Sequence, residues 1–251
     1  MSSRALLRCP RCAGTLDDDL ACTGCRARAQ VDDVAIDFVG EAGAPESLGA
    51  RAMRSRGLAR IYERWWRPAV FGLTTGFRMP AARDEAVLVM SKIAPTSGPW
   101  LDLSCGPGHL TRHLVALAGE RAVVALDLSR AMLERARVNA PAALRVRADA
   151  GALPLSSGAF GAVVNLAALD LYPDAGRVVA ESARVLAAGG RWVASSFVTS
   201  RSGAARRVWT AVAGVRTPHE GDLARHAGRA GLVGYGEERF GRYLVAWADK
   251  P

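Results

Sequence analysis

The sequence predicts an α/β protein with a mostly parallel sheet and a small metal-binding module at its N-terminus. From Trp100 onward, short apolar segments alternate with amphipathic helices, which is typical of a parallel sheet covered by helices. The first forty residues instead contain four closely spaced cysteines. The 251 residues are 50% hydrophobic and 23% charged, which excludes a collagen-like, coiled-coil or wholly disordered chain.

The N-terminal cysteines form two Cys-x-x-Cys pairs, Cys9 with Cys12 and Cys22 with Cys25. Two such pairs, in a chain that begins without an apolar secretory signal, predict a tetrahedral zinc site rather than disulfides. A site of four sulfurs leaves no open position on the metal, so we expect the zinc to stabilise residues 1–40 and to do no chemistry. A metal-free remnant and a redox pair are the alternatives.

Residues 41–95 are predicted to form a linker and a helical lid. The stretch 40–49 is small, polar and rich in glycine and proline, and a helical segment follows up to Arg67, before Pro68. This segment carries Tyr62, Trp65 and Trp66, which together with Arg67 either line the pocket of the substrate or pack as ordinary core. A further helix is expected over 81–93.

The pattern after residue 96 predicts seven strands and four helices. The strands are expected at 100–103, 122–127, 144–149, 162–167, 191–198, 232–239 and 243–248, and the helices near 109–118, 129–139, 175–187 and 222–230. Leu110, Leu114 and Leu117 recur at helical spacing, so one face of that helix packs on the sheet. Only Gly241 and Arg242 separate the last two strands, which predicts a terminal antiparallel hairpin.

Three loops at the carboxyl ends of the predicted strands carry the functional argument, because ligands of such sheets bind there. Gly106 and Gly108 follow the first strand and allow the backbone to approach a ligand closely. Asp127 ends the second strand about 20 residues later, where a carboxylate accepts hydrogen bonds from a ribose. Asp149 ends the third strand and is placed to meet an adenine amino group. The three loops together predict an adenosine site.

These loops resemble the motifs of class I S-adenosylmethionine-dependent methyltransferases. The matching segments are Asp102-Leu-Ser-Cys-Gly-Pro-Gly108, Leu126-Asp-Leu-Ser-x-x-Met-Leu133, Arg147-Ala-Asp-Ala-x-x-Leu-Pro-Leu155 and Arg184-Val-Leu-x-x-Gly-Gly190. The resemblance covers residues 100–198 and implies a Rossmann-like core over 96–251 that binds S-adenosylmethionine. Over the whole chain, the layout is similar to an uncharacterised bacterial and plastid subgroup. It is also similar to rRNA guanine-N1 methyltransferases, although those complete their zinc site with Cys-x-x-x-His, where this chain has Cys22-Thr-Gly-Cys25.

The resemblance implies a role for each residue of the cofactor site. Asp102 is expected near the methionine ammonium group and Asp127 at the ribose, while the backbone from Asn165 to Ala167 passes the sulfonium. The remaining expected cofactor contacts come from the glycine-rich loop and from the second and third strand ends: Ser104, Gly106, Gly108, His109, Leu128, Met132, Asp149 and Ala150.

Asp170 is the principal candidate for catalysis, because it follows the fourth predicted strand, where relatives commonly have histidine. It is expected to act as a general base or to anchor a polar methyl acceptor. A helix N-cap and an ion pair with a nearby arginine are the alternatives. Tyr62 and Tyr172 are the next candidates for the base.

The expected function is methylation of a small molecule, in specialised (natural-product) metabolism. The alternatives are methylation of an rRNA base and a non-methylating protein that binds the cofactor or catalyses a cyclisation. The net charge of +9 includes eight arginines over 51–83 and six over 182–219, which indicate an anionic or carrier-bound substrate or, alternatively, a compositional bias of the genome. No apolar run approaches the roughly 20 residues of a membrane span, so we expect a cytoplasmic protein without a membrane partner.

Overall fold

A computed structural model describes residues 3–40, 82–93, 96–199 and 216–251. The predicted linker, the predicted helix up to Arg67 and the aromatic residues Tyr62, Trp65 and Trp66 lie outside these ranges. The five described α-helices begin and end close to the predicted limits. They are α1 (Ala82–Ile93), α2 (His109–Ala118), α3 (Arg130–Asn139), α4 (Ala175–Val185) and α5 (Asp222–Arg229).

Nine described strands form one sheet. They are β1 (Gln30–Val31), β2 (Ile36–Asp37), β3 (Trp100–Leu103), β4 (Val123–Asp127), β5 (Leu144–Arg147), β6 (Phe160–Leu166), β7 (Leu186–Phe197), β8 (Val233–Phe240) and β9 (Tyr243–Asp249). Their order is β1-β2-β5-β4-β3-β6-β7-β9-β8. Every neighbouring pair in the run β2-β5-β4-β3-β6-β7 is parallel. The pairs β1–β2, β7–β9 and β9–β8 are antiparallel. The predicted seven-stranded, mostly parallel fold with its terminal hairpin is therefore confirmed.

The N-terminal segment adds the two outer strands that the sequence did not predict. β2 pairs in parallel with β5, with Ile36 opposite Val146 and Asp37 opposite Arg147. Leu6 and Leu7 are buried within the same apolar cluster as Leu155 of the core, and Leu7 forms a β-bridge to Leu155. The predicted domain limits at residues 40 and 95 stay predictions, but the first segment packs on the sheet and extends it.

Apolar side chains cover both faces of the sheet. One cluster includes Leu101, Val163 and Trp192, and the other includes Trp100, Val164 and Val193. Successive apolar residues of one strand thus point to opposite faces, as expected for strands that are buried on both faces. Because both faces of the sheet are covered, the polar side chains of the candidate site lie at the carboxyl ends of the parallel strands. No described helix is long and apolar enough to cross a membrane.

Candidate functional site

The loop after β3 brings the backbone close to the ends of three strands. Gly108 has φ +85°, and a Cβ atom there would lie 3.1 Å from the Cα of Ala136 in α3. Glycine at this position therefore permits both the left-handed turn and the close packing of the loop against α3. Among the described residues, a Cβ atom at Gly106 would have no neighbour within 4 Å, so this part of the chain leaves the space above Gly106 open. The loop is shaped to allow a ligand to approach its backbone.

Asp127 connects this loop to the start of α3. One carboxylate oxygen of Asp127 accepts a hydrogen bond from the Gly106 N–H at 2.8 Å, and the other accepts one from the Ser129 N–H at 2.8 Å. The Ser129 hydroxyl in turn caps α3 by accepting from the Met132 N–H. A carboxylate oxygen can accept more than one hydrogen bond, which is the acceptor chemistry that a pair of ribose hydroxyls requires.

Ser104 and Tyr172 connect the glycine-rich loop to the chain after β6. Ser104 has φ +57°, a left-handed conformation that is unusual for a residue with a side chain, at the position where dinucleotide-binding loops have their first glycine. Its hydroxyl is hydrogen-bonded to the Tyr172 hydroxyl. The Asn165 amide donates to the same Tyr172 oxygen at 3.0 Å and to the Leu103 carbonyl at 2.8 Å. This network fixes the two strand ends relative to each other.

The Asp102 carboxyl is buried within β3, with 2% of the residue exposed. Burial raises the pKa of Asp102 to about 7, the hydrogen bond from Thr111 opposes that rise, and the charge of Asp127 adds to it. The Thr111 hydroxyl donates to Asp102 at 2.6 Å. A buried acid with a pKa near neutrality becomes more readily ionised when a cation binds beside it.

The site fits a cofactor that carries an amine, a ribose and an adenine. Among the described side chains, the buried Asn165 Oδ1 has no hydrogen-bond partner, so its acceptor capacity is not met within the described part of the chain. Asp149 is exposed, and only one of its oxygens is bonded, to the Gly151 N–H at 2.8 Å. Acceptors for an amine, for hydroxyls and for an exocyclic amino group are thus present around the open space at Gly106.

The other expected cofactor contacts follow the same strand ends. Leu128 is half-buried directly after Asp127, Met132 is buried in the first turn of α3, and Ala150 is buried after Asp149. His109 begins α2, with its Nδ1 3.0 Å from Arg112 Nη2. All eleven residues expected at the cofactor lie within or just beyond the strand ends, or in the turn into the helix that follows.

Asp170 lies in the short 3-10 helix Leu169–Leu171 after β6, and 9% of the residue is exposed. Burial raises the pKa of this carboxyl to about 6, against the opposing effect of its own backbone N–H. The N-cap of α4 is Asp174, whose carboxylate accepts from the Arg177 N–H at 3.0 Å. The N-cap interpretation of Asp170 therefore has no support from α4. Tyr172 is less available as a base, because burial raises the pKa of its phenol further above neutrality and keeps the phenol protonated.

A second buried network, which the sequence did not predict, supports the end of β6. The Ala167 N–H donates to Ser195 Oγ at 3.0 Å, and Ser195 Oγ lies 2.5 Å from the Tyr243 hydroxyl. Tyr243 also donates to the buried carboxylate of Glu85 in α1. Ala167 has φ +51°, so the network holds the chain between Asn165 and Asp170 in a conformation that alanine rarely adopts. These partners come from four distant segments, and no local pattern could reveal them.

The four N-terminal cysteines converge, with their sulfur atoms all within 4.8 Å of one another. Two of these distances are 3.5 Å, between Cys9 and Cys25, and 3.4 Å, between Cys12 and Cys22. Four sulfurs at ~2.3 Å from one tetrahedral zinc would lie about 3.8 Å apart, so the arrangement fits that metal. The Cys25 N–H donates to the Cys22 sulfur and lowers the pKa of Cys22 to about 6. The Gly14 backbone lowers the pKa of Cys12, but the hydrogen bonds of Cys12 with Cys22 and the other thiols, together with desolvation, outweigh that effect and raise the pKa to about 11, so the thiolate of this pair is favoured at Cys22.

The two cysteine pairs have the same local geometry. The Ala13 N–H donates to the Cys9 carbonyl at 2.8 Å, and the Arg26 N–H donates to the Cys22 carbonyl at 3.0 Å. Both donors have positive φ, +58° and +61°, a conformation that costs a residue with a side chain about 1 kcal/mol. Two matching strained turns around four thiols are expected where a bound metal offsets the strain.

Comparisons with known proteins identify the family of this chain. Residues 101–194 match the family model described as a methyltransferase domain. An uncharacterised chloroplastic methyltransferase of Arabidopsis thaliana is 31% identical over 193 residues, which cover 70% of this chain and 53% of that protein. A malonyl-[acyl-carrier protein] O-methyltransferase of Methylococcus capsulatus is 33% identical over 49% of this chain and 46% of its own length. The chain thus spans about half the length of these curated relatives.

The fold is shared with solved methyltransferases at much lower identity. The geranyl diphosphate C-methyltransferase of Streptomyces coelicolor A3(2) superposes with a TM-score of 0.59 at 16% identity, over 67% of this chain and 76% of that one. Together, the sheet order and the family match define a Rossmann-like α/β methyltransferase fold. The chain belongs to the class I S-adenosylmethionine-dependent methyltransferases, as the sequence motifs indicated.

Proposed function

We propose that this protein transfers a methyl group from S-adenosylmethionine to a small-molecule or carrier-bound acceptor. The observation that carries the proposal is the position of Asp127, whose carboxylate holds the glycine-rich loop and the start of α3 around an open space. Within it, Asp127 would hold the ribose and Asp102 the methionine ammonium group. Asp149 and the Ala150 N–H would contact the adenine edge, with Leu128 and Met132 beside the ring.

The cofactor supplies an electrophilic methyl group that already carries the positive charge of a sulfonium. The remaining work for the protein is to align the acceptor, exclude water and, for a hydroxyl or acidic carbon, accept a proton. Asp170 is suited to the last task, because burial brings its pKa to about 6, where it is mostly ionised at neutral pH and is a stronger base than an exposed aspartate. Tyr172 and Asn165 would hold the strand ends around the reacting groups.

The names of the relatives favour a small or carrier-bound acceptor. One relative is named as a malonyl-[acyl-carrier protein] O-methyltransferase and one structural neighbour as a geranyl diphosphate C-methyltransferase, and both names describe anionic substrates. The positive net charge of +9 suits an anionic acceptor. We therefore propose an anionic acceptor of specialised metabolism. Methylation of rRNA and a non-methylating cyclisation are the competing functions.

One assay distinguishes these functions. The purified protein is incubated with S-adenosylmethionine labelled in its methyl group and with three acceptor pools: acyl-carrier thioesters, isoprenoid diphosphates and total rRNA. We expect S-adenosylhomocysteine and a labelled small product from one of the first two pools. Label in rRNA, together with salt-dependent RNA binding, would instead support the RNA function. Tight cofactor binding without product from any pool would support the non-methylating function.

Cofactor affinity is expected to depend on pH through Asp102. Because burial raises the folded pKa of Asp102 to about 7, its carboxyl is protonated below that pH in the free protein. An ammonium group binds better to the ionised form, so affinity for S-adenosylhomocysteine should rise about tenfold per pH unit below 7 and level off above it. Titration calorimetry from pH 5.5 to 8.5 measures this dependence. The Asp102→Asn variant should bind weakly at every pH, and an unchanged slope in that variant would contradict the assignment.

The same shift predicts the sign of a stability effect. An acid with a raised folded pKa binds its proton more tightly in the folded chain, so its ionisation destabilises the fold. The free energy of unfolding that Asp102 contributes should therefore fall as the pH rises from about 4 to about 7, and stay constant above 7. Denaturant unfolding of the wild type and of Asp102→Asn, compared at each pH without cofactor, isolates this contribution.

We also propose that the four N-terminal cysteines bind one structural zinc ion. We expect one zinc per chain by elemental analysis, and its loss in Cys22→Ser, with faster proteolysis of residues 3–40. The matched control is Cys105→Ser, a buried cysteine outside the cluster, which should keep the metal. Freshly purified protein without zinc would contradict the proposal. Because thiolates of this kind persist only where thiols stay reduced, we propose a reducing compartment such as the cytoplasm.

A further inference from the structure

Four arginines of the methyltransferase core contact the segment 32–40 of the N-terminal module. Two come from α3, which begins after the loop that follows Asp127, and two come from β5, which pairs with β4. The contacts join Arg130 to Asp32 at 2.5 Å, Arg137 to Asp33 at 2.8 Å, Arg145 to the Val34 carbonyl at 2.8 Å and Arg147 to Asp37 at 2.7 Å. The N-terminal module is thus attached to the wall of the proposed adenosine site.

Arg147 differs from the other three because it also reaches the loop after Asp127. Its Nη1 donates to the carboxylate of Asp37, while its Nε donates to the Leu128 carbonyl at 3.0 Å. The side chains of Arg147 and Asp37 are only 15% and 8% exposed. The Arg137–Asp33 pair is by contrast 46% and 71% exposed. The guanidinium also donates from Nη1 to the Gly40 carbonyl at 3.2 Å, and a mostly buried guanidinium with three directed hydrogen bonds fixes geometry in a way that an exposed ion pair does not.

The loop from Asp127 to Ser129 is therefore held from three directions. The Asp127 carboxylate is bonded to Gly106 and Ser129, the Asp127 carbonyl accepts from the Ala148 N–H at 3.3 Å, and the Leu128 carbonyl accepts from Arg147. Only the last of these depends on the N-terminal module. Asp37 is itself fixed, because its second oxygen accepts from the Val39 and Gly40 N–H groups.

We propose that Arg147 and Asp37 are positioning residues for the adenosine end of the cofactor, so that the N-terminal module completes the cofactor site. The inference rests on the proposed function, since it takes residues 127–129 as the adenosine loop. Asp37 holds the guanidinium, the guanidinium holds the Leu128 carbonyl, and the Leu128 backbone sets the direction of the Asp127 carboxylate.

The test separates the ion pair of Arg147 with Asp37 from the hydrogen bond of Arg147 to the Leu128 carbonyl. Arg147→Lys keeps a positive charge for Asp37, but a single ammonium group lacks the forked geometry that serves Asp37 and Leu128 together. We expect this variant to bind S-adenosylhomocysteine about tenfold more weakly, the size of one charge-assisted hydrogen bond. Adenosine alone should lose the same factor. Arg137→Met, which removes an exposed ion pair of the same interface, should change both affinities less than about twofold.

Two further variants keep the proposal testable if Arg147→Lys folds poorly. Asp37→Asn retains an oxygen for the Val39 and Gly40 N–H groups and should weaken both ligands about threefold. Asp102→Asn should weaken S-adenosylhomocysteine but leave adenosine unaffected. An Arg147→Lys variant with the affinities of Arg137→Met would overturn the proposal, as would a loss for S-adenosylhomocysteine without a loss for adenosine. Failure of the proposed function is a separate result: the wild type would then bind neither ligand.

Discussion

The Asp170→Asn variant is expected to transfer methyl groups about 10²–10⁴ times more slowly than the wild type, with nearly unchanged affinity for the cofactor. The substitution preserves the shape of the side chain but removes its capacity to accept a proton. The rate should be measured in single turnovers at saturating acceptor, using the acceptor found in the assay above, so that binding and product release do not mask the chemical step.

Asp174→Asn is the matched control for this experiment. Asp174 lies four residues further along the chain, is exposed, and caps α4 through the Arg177 N–H. Asparagine caps a helix about as well as aspartate, so this substitution should leave both the stability and the rate nearly unchanged, whereas Asp174→Ala should cost about 1 kcal/mol of stability and leave the rate intact. A base and a structural cap are thus separated by two measurements, the single-turnover rate and the melting temperature.

The pH profile provides an independent check on Asp170. Burial raises its pKa to about 6, so the wild-type rate should fall below that pH as the base becomes protonated, and Asp170→Asn should lose this acidic limb. If Asp170 instead anchors the acceptor, KM rises in the variant and the limb stays in place. Full turnover in Asp170→Asn would show that another residue is the base, or that the acceptor needs none. Tyr62 would then be tested before Tyr172, because burial raises the pKa of Tyr172 and keeps its phenol protonated.

Asp127→Ala is expected to weaken S-adenosylmethionine binding by about 2–4 kcal/mol, which corresponds to about 30- to 1,000-fold in the dissociation constant. Two ribose hydroxyls would lose a charged acceptor. In addition, the Gly106 and Ser129 N–H groups would lose the partner that holds the loop around the cofactor. Calorimetry with S-adenosylhomocysteine measures the loss without turnover.

The variants Asp127→Asn and Asp149→Asn show how much of the cofactor affinity depends on the ribose contact and how much on the adenine contact. The asparagine at 127 keeps one acceptor oxygen and should recover part of the affinity that alanine loses. Asp149 is exposed and holds only the Gly151 N–H, so its substitution should cost less than that of Asp127. An Asp127→Ala variant with wild-type affinity would refute the adenosine site itself, whatever the outcome at Asp149.

Much of the core was predictable because it depends on local patterns. The helix His109–Ala118 has the predicted limits, and Leu110 and Leu114 are buried as predicted. The prediction was wrong for Leu117, which is 46% exposed, and Thr111 and Ala118 complete the buried face instead. The loops at Gly106, Asp127 and Asp149 were predictable because parallel strands bring their carboxyl ends to one edge, whatever the details of packing. The position of Asp170 followed from the same rule.

The unpredicted features all join residues that are far apart in sequence. The pairing of β2 with β5 joins Asp37 to Arg147. The strands β1 and β2 have only two residues each, so neither has a periodic pattern that could be recognised in the sequence. The network from Ala167 through Ser195 and Tyr243 to Glu85 is assembled from the ends of separate elements. Such contacts depend on the register of the whole sheet, which no short segment of the sequence encodes.

The position of the N-terminal strands has a consequence for the order of events during synthesis. The ion pair between Asp37 and Arg147 spans 110 residues, so at about 5–20 residues per second the ribosome needs about 5–20 s to produce β5 after β2. During that interval Leu6 and Leu7 lack the core side chains around Leu155, and the zinc that we propose at the four cysteines would be the local source of order in the N-terminal segment. Metal supply at the moment of translation, rather than in the finished enzyme, would then govern how many chains mature correctly.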